Sequence, residues 1–363
     1  MSTSTLYTNP AVHAGAANSH SKLPRPPFDP ALEHVRTAIP SESFQTLNTI
    51  RGHPYSFSLD SVLSRFPHLS HKEYTIPTPD PNYGQDDTIT LSVFTPKSHT
   101  TPLPAIYNIH GGGQIAGDRF TGLEFVIAWY TENDTEVPLP AVHISVEYRL
   151  APEHPAPAAL HDCYNGLTWV AEHAEILNID ASKILVQGVS GGGPLAAACA
   201  IKARNHGSPA LRGQLLSTPM LDYSGESVSA RQFEDQGPWN GRTDRLAWGF
   251  VLGLEQPNSA EGEVATLGSR IKEKGDSVSE LISPTEATDL AGVVPAFIDV
   301  GEAEVFRDGA VQYASLLWES GVSAELHVWP GAWHGFDMFA PDVPVSKAAV
   351  AAKKSWLRRI LSE

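Results

Sequence analysis

Residues 183–200 read KILVQGVSGGGPLAAACA. Ile184, Leu185 and Val186 form a short apolar run of strand type, and Leu195 to Ala200 is an alanine-rich run that favours helix. Between them Gly188-Val189-Ser190-Gly191-Gly192-Gly193 supplies G-x-S-x-G on a strand-to-helix turn. A turn this tight strains the backbone of the serine, and the residues two before and two after it must be nearly without side chains. Gly188 and Gly192 meet that demand. The serine hydroxyl then stands clear of the turn, above a helix N-terminus whose N–H groups favour negative charge on an attached group. A glycine-rich turn with an incidental serine is the plainer alternative. The flanking strand and helix favour a nucleophile elbow at Ser190.

Working outward, strand and helix patterns alternate. Upstream, Tyr74-Thr75-Ile76 and Thr88–Thr95 alternate as strands around a hairpin loop at Asp80–Gly84. Ala105–His110 reads as a buried strand ending at Gly111-Gly112-Gly113; Leu123–Tyr130 follows as helix, Val142–Val146 as strand, and Pro155–Ala174 as helix. Downstream, Gly213–Met220, Ala296–Val300 and Ala324–Trp329 read as strands, and Arg307–Ser320 and Ser346–Leu361 as helices. This rhythm predicts an α/β fold with a mostly parallel central sheet and helices on both faces. Residues 1–30 are expected to be a loose N-terminal arm. Residues 31–70 carry short amphipathic pieces broken by prolines, and residues 222–290 interrupt the strand–helix rhythm. Together those two stretches are expected to form a helical cap over a core made of residues 71–221 and 291–363.

The 363 residues are 41% apolar and 18% charged, ample for a large core. A net charge of −16 disfavours nucleic acid and anionic membrane surfaces as partners. Cys163 and Cys199 lie in apolar helical runs and read as buried free thiols. No C-x-x-C or H-E-x-x-H pattern occurs, so no metal site is expected. No stretch reads as a signal peptide or membrane span, so a cytoplasmic location is the default.

The remaining chemistry lies at strand ends. His110-Gly111-Gly112-Gly113 closes a strand, and glycine amides can approach a developing oxyanion closely. The Gly112, Gly113 and Gly191 N–H groups are assigned to an oxyanion hole, with His110 ordering the loop. His334, in Trp333-His334-Gly335-Phe336 just after the last strand, can reach across the strand ends to Ser190 as base. The acid belongs after Ala296–Val300, where Glu302, Glu304 and Asp308 compete. Glu304 is preferred, because Asp308 lies inside the following helix and suits pairing with Arg307 or capping.

These blocks resemble the hormone-sensitive-lipase-like family of α/β-hydrolases over about residues 73–340. The most specific is Glu147-Tyr148-Arg149-Leu150-Ala151-Pro152-Glu153-His154-Pro155, in which Tyr148, Arg149 and Glu153 are expected to form a polar cluster supporting the oxyanion loop. The resemblance implies an α/β-hydrolase fold with a cap and a cofactor-free carboxylesterase acting on short or medium acyl esters. Three positions depart from the family's habit. Val189 replaces an acidic or small polar residue, Gly191 replaces alanine, and Glu304 replaces aspartate.

The leading expectation is thus a serine carboxylesterase taking a small-molecule ester or lactone, with a homodimer admitted. Lactone hydrolysis, deacylation or acyl transfer on a specialised metabolite is the alternative, since fold and triad do not separate them. A non-catalytic small-molecule receptor is a third class. The aromatic candidates Phe233, Trp239, Trp248 and Phe250 fit either an apolar substrate wall or the packing of the cap.

Overall fold

The computed structural model describes residues 23–39, 44–52, 57–79, 87–131, 139–254, 264–275 and 278–362. Through them runs one eight-stranded sheet: β1 (Leu69–Pro77), β2 (Thr88–Pro96), β3 (Leu103–Ile109), β4 (Val142–Glu147), β5 (Ile179–Val189), β6 (Gly213–Ser217), β7 (Ala296–Gly301) and β8 (Ala324–Trp329). Their spatial order is β1-β2-β4-β3-β5-β6-β7-β8. β2 pairs antiparallel with β1 and with β4, and the other neighbours are parallel.

The helices are α1 (Pro30–Ala38), α2 (Leu47–Arg51), α3 (Leu59–Arg65), α4 (Leu123–Thr131), α5 (Ala158–Glu172), α6 (Ala174–Leu177), α7 (Gly192–His206), α8 (Val228–Gln232), α9 (Gly241–Val251), α10 (Val264–Glu273), α11 (Arg307–Glu319), α12 (Phe336–Phe339) and α13 (Pro344–Ser362). The two-residue period of the strands divides them between the sheet's faces. Tyr107, Val186, Leu216 and Ile298 pack with α5, α7 and α11, while Ile106, Leu185, Leu215 and Phe297 pack with α4 and α13. With both faces covered, the central strands are apolar almost throughout, which is why they read as continuous runs rather than alternating ones.

From β3 the chain crosses through α4 to β4 on one side, whereas β5 lies on the other. The loops after β3 and β5 therefore diverge and open a crevice at the strand ends. Segments far apart in the sequence meet there. Thr243 Oγ1 of α9 donates to the Phe44 carbonyl at 2.8 Å, and the Phe44 and Trp239 rings lie 6.2 Å apart. Phe233 packs 6.0 Å from Phe28.

Some boundaries differ from expectation. β1 starts at Leu69, inside the stretch expected to be cap, because it pairs with β2 along its whole length despite the polar Ser70-His71-Lys72. The helix expected from Pro155 begins at Ala158 and breaks at His173, after which α6 forms. The hairpin loop at Asp80–Gly84 lies outside the described residues, as do residues 1–22 of the expected arm. From residue 24 onward the chain makes contacts: Pro24 O accepts from Gln232, and Asp29 N donates to Gly331 O at 2.9 Å. Cys163 and Cys199 are buried free thiols. Among the described residues no helix is long and apolar enough to cross a membrane.

Candidate active site

Ser190 sits between β5 and α7 with φ at 53°, a left-handed conformation that is strained for any residue but glycine. The turn closes because its neighbours lack side chains. A Cβ at Gly188 would stand 2.3 Å from Gly192 O, and one at Gly192 would stand 2.2 Å from Ile109 O. The turn is held by Ser190 N donating to Ser217 O at 2.9 Å, and by Ser190 O accepting from Gly193 N and Met220 N.

The loop after β3 lies against this elbow. Gly112 has φ at 103°, and a Cβ there would meet Ala116 O at 2.1 Å. A Cβ on Gly191 would stand 2.5 Å from Gly113 N, so the loop's amides crowd the turn directly. The N–H groups of Gly112, Gly113 and Gly191 find no backbone acceptor among the described residues. His110 is buried, stacks on Tyr148 at 4.1 Å, and places Nδ1 2.8 Å from Gly111 O. Burial pushes its pKa down, which favours a neutral ring and an Nδ1–H that donates to that carbonyl.

The expected polar cluster of Tyr148, Arg149 and Glu153 is not one cluster. Tyr148 supports the loop, its hydroxyl donating to His110 O at 2.9 Å. Arg149 instead turns to Asp162 and Asp87. Glu153 pairs with Arg51 of α2, and Arg51 in turn donates to Ile115 O at 2.8 Å and Ala151 O at 3.1 Å. The branched guanidinium lets one residue hold both segments.

Beyond β8, the loop leading into α12 brings His334 to the elbow. Its Nε2 lies 2.9 Å from Ser190 Oγ, and its Nδ1 lies 2.6 Å from Glu304 Oε2. Glu304 is buried, and its other oxygen accepts from Gly301 N at 2.7 Å. The rival carboxylates go elsewhere. Glu302 accepts from Gly331 N, and Asp308 pairs with Arg307 and caps α8 by accepting from Ser229 N. The Phe306 ring meets His334 edge-on at 5.0 Å.

Above Ser190 and His334 lies a cavity of about 350 Å³ with walls that include Phe44, Phe57, Phe125, Trp239, Met338 and Phe339. Among the described residues no group of His, Cys, Asp or Glu could hold a metal ion.

A family profile for the alpha/beta hydrolase fold matches residues 106–338. Carboxylesterase NlhH of Mycobacterium tuberculosis is 31% identical over 347 residues, spanning 93% of this chain and 97% of its own. The chain belongs to the hormone-sensitive-lipase-like α/β-hydrolases. The solved structure of a bacterial heroin esterase resembles this α/β-hydrolase with a TM-score of 0.77 at 32% identity, over 92% of this chain and 98% of that one. An arylesterase of Saccharolobus solfataricus is 30% identical over 240 residues, which are 66% of this chain and 69% of its own.

Of the four aromatic residues singled out in the sequence of this α/β-hydrolase, Trp239 alone lines the cavity. Phe233 and Trp248 are buried away from it, and Phe250 packs on the main core. Phe44 and Phe57 also line the cavity, and no motif in the sequence marks them. Met338 and Phe339 follow His334 closely enough that position alone could have flagged them. Val189, where the family favours an acidic or small polar residue, joins the apolar cluster with Trp129 and Tyr130.

Proposed function

We propose that this hydrolase of ester bonds cleaves short- to medium-chain carboxylic esters through an acyl-enzyme. In this reading Ser190, His334 and Glu304 are its triad, and the amides of Gly112, Gly113 and Gly191 form its oxyanion hole. The observation that carries the reading is the unbroken line of hydrogen bonds from Ser190 Oγ through His334 to Glu304. His334 Nε2 takes the hydroxyl proton as Ser190 attacks the ester carbonyl. Glu304 holds Nδ1–H and stabilises the imidazolium that forms. Negative charge on the carbonyl oxygen is met by the glycine amides, which need no reorganisation at the moment of reaction. His334 then protonates the departing alcohol. Water enters on the same base and releases the acid.

Residues 31–68 and 222–290 act as the cap, on a core of residues 69–221 and 291–363. The predominantly apolar walls suit a neutral acyl or alcohol group. The two charged residues lining it, Arg51 and Asp118, already have partners within the chain.

The test is a series of chromogenic esters of increasing acyl length, run with wild type and Ser190→Ala. The variant is expected to lose on the order of 10⁴-fold or more in kcat while keeping its fold. Undiminished turnover by it would end the reading. Added alcohol in the same assay separates hydrolysis from acyl transfer through the products formed.

A further inference from the structure

A charged cluster lies behind the site, on the α13 side of the sheet, and the chemistry above does not use it. Lys353 of α13 is fully buried. Its ammonium donates to Asp299 Oδ2 at 2.5 Å and to Asp337 Oδ2 at 2.9 Å. The Trp129 ring of α4 faces it, with the centroid 5.0 Å away. Trp329, at the end of β8, donates Nε1–H to the same Asp299 oxygen at 3.1 Å. Burial disfavours a charged lysine, but the two carboxylates hold its pKa above the usual lysine range, so it stays a cation at neutral pH. Such buried ion groups are a poor route to stability, since apolar side chains of similar volume often do as well or better.

Their placement suggests a different use. Asp299 lies on β7 just before Gly301, whose N–H holds Glu304 Oε1. Asp337 lies on α12, in the turn that follows His334. Trp129 shares an apolar cluster with Val189, the residue before Ser190. One cation therefore touches the segments behind Glu304 and His334, and its third neighbour, Trp129, belongs to the apolar cluster that holds Val189. Ammonium–carboxylate bonds set both distance and direction, where apolar contacts leave latitude.

We propose that Lys353 is a positioning residue: its bonds to Asp299 and Asp337 set the spacing between the Glu304 and His334 segments, and with it the approach of His334 Nε2 to Ser190 Oγ. This rests on the triad reading given above.

The test uses the full chain in two variants. One is the uncharged Asp299→Asn/Asp337→Asn/Lys353→Met, and the other is Asp337→Asn, which keeps the Lys353–Asp299 pair. Folding is followed by circular dichroism and thermal melting. Active sites are counted by fluorophosphonate titration, so that kcat refers to folded, labelled enzyme. The triple variant is expected to keep KM within about twofold and to lose at least about tenfold in kcat, because a displacement of about 1 Å near the reacting atoms is that costly. Asp337→Asn is expected to show a smaller loss of the same kind. A folded triple variant with wild-type kcat per active site would overturn the proposal. Should the triple variant not fold, wild-type kcat in Asp337→Asn overturns it instead. The Ser190→Ala control keeps the two readings apart: an inactive control beside an unimpaired cluster variant leaves the triad standing and removes the role of Lys353.

Discussion

At the scale of single residues, the contact between Gly191 and the loop after β3 leaves no room for a side chain. A methyl group at 191 would stand 2.5 Å from Gly113 N and 2.8 Å from Gln114 N, and both neighbours are backbone. The loop would have to retreat. Gly191→Ala is therefore expected to lower kcat by on the order of 10²-fold with little change in KM, read from steady-state kinetics of a short ester. Glu304→Gln keeps the shape of the acid and removes its charge. The amide can present its NH₂ to Nδ1 and favour the wrong tautomer, so kcat is expected to fall on the order of 10³-fold or more in the same assay.

At the scale of elements, α2 is fastened to the site by Arg51, which bonds Glu153, Ile115 O and Ala151 O together. That bond holds the Glu153 carboxyl down at about 2. A carboxylate lowered in the folded state lends stability that is present above its unfolded pKa and lost as pH falls through the folded one. The window thus runs from the ordinary 4.5 down to about 2. Glu153 is 54% exposed, so solvent screening keeps the gain below about 1 kcal/mol. The larger effect is local, because Arg51 lines the cavity and holds the Ile115 carbonyl in the loop after β3. Arg51→Met is expected to raise KM severalfold and to leave the melting temperature within about 3 °C of wild type, as kinetics and a thermal melt will show.

The same scale explains what could be read from sequence. The elbow, the glycine run after β3 and the His334 loop each sit where a strand ends, so short-range spacing carries them. Glu304 needed only its rank along the chain and its distance from the helix start. What local patterns do not carry is which remote surfaces meet. Phe44 and Thr243 are 199 residues apart, yet they join the two halves of the expected cap. Arg149 and Glu153 looked like partners by proximity in sequence, but the fold sends them to opposite neighbours. No motif marks Lys353; the crossing of α13 over β7 and α12 buries it.

At the scale of the whole molecule, the sheet hides groups whose ionisation opposes folding. His143 on β4 is fully buried, and burial with nearby His68 holds its pKa down at about 3. The folded chain thus refuses a proton that the unfolded chain accepts below its ordinary 6.5. Stability should fall as pH drops from 6.5 toward 3, by up to about 2 kcal/mol on reaching pH 5. Urea midpoints at pH 7 and pH 5 measure this, and His143→Phe should flatten the difference. The thiols behave in a related way. Burial raises Cys199 to about 12 and Cys163 well above its usual range. Neither should react with Ellman's reagent in the native protein at pH 8, whereas both should react promptly in denaturant.

The meeting of Phe44 and Trp239 bears on how this enzyme could be re-engineered. Their rings form one wall although they come from segments far apart in the chain, so the volume removed from one can be reoccupied by the other. Trimming either alone should widen the tolerated acyl groups less than expected. Trimming both should yield more than the summed single effects, and a screen that varies one position at a time would pass over the useful pair.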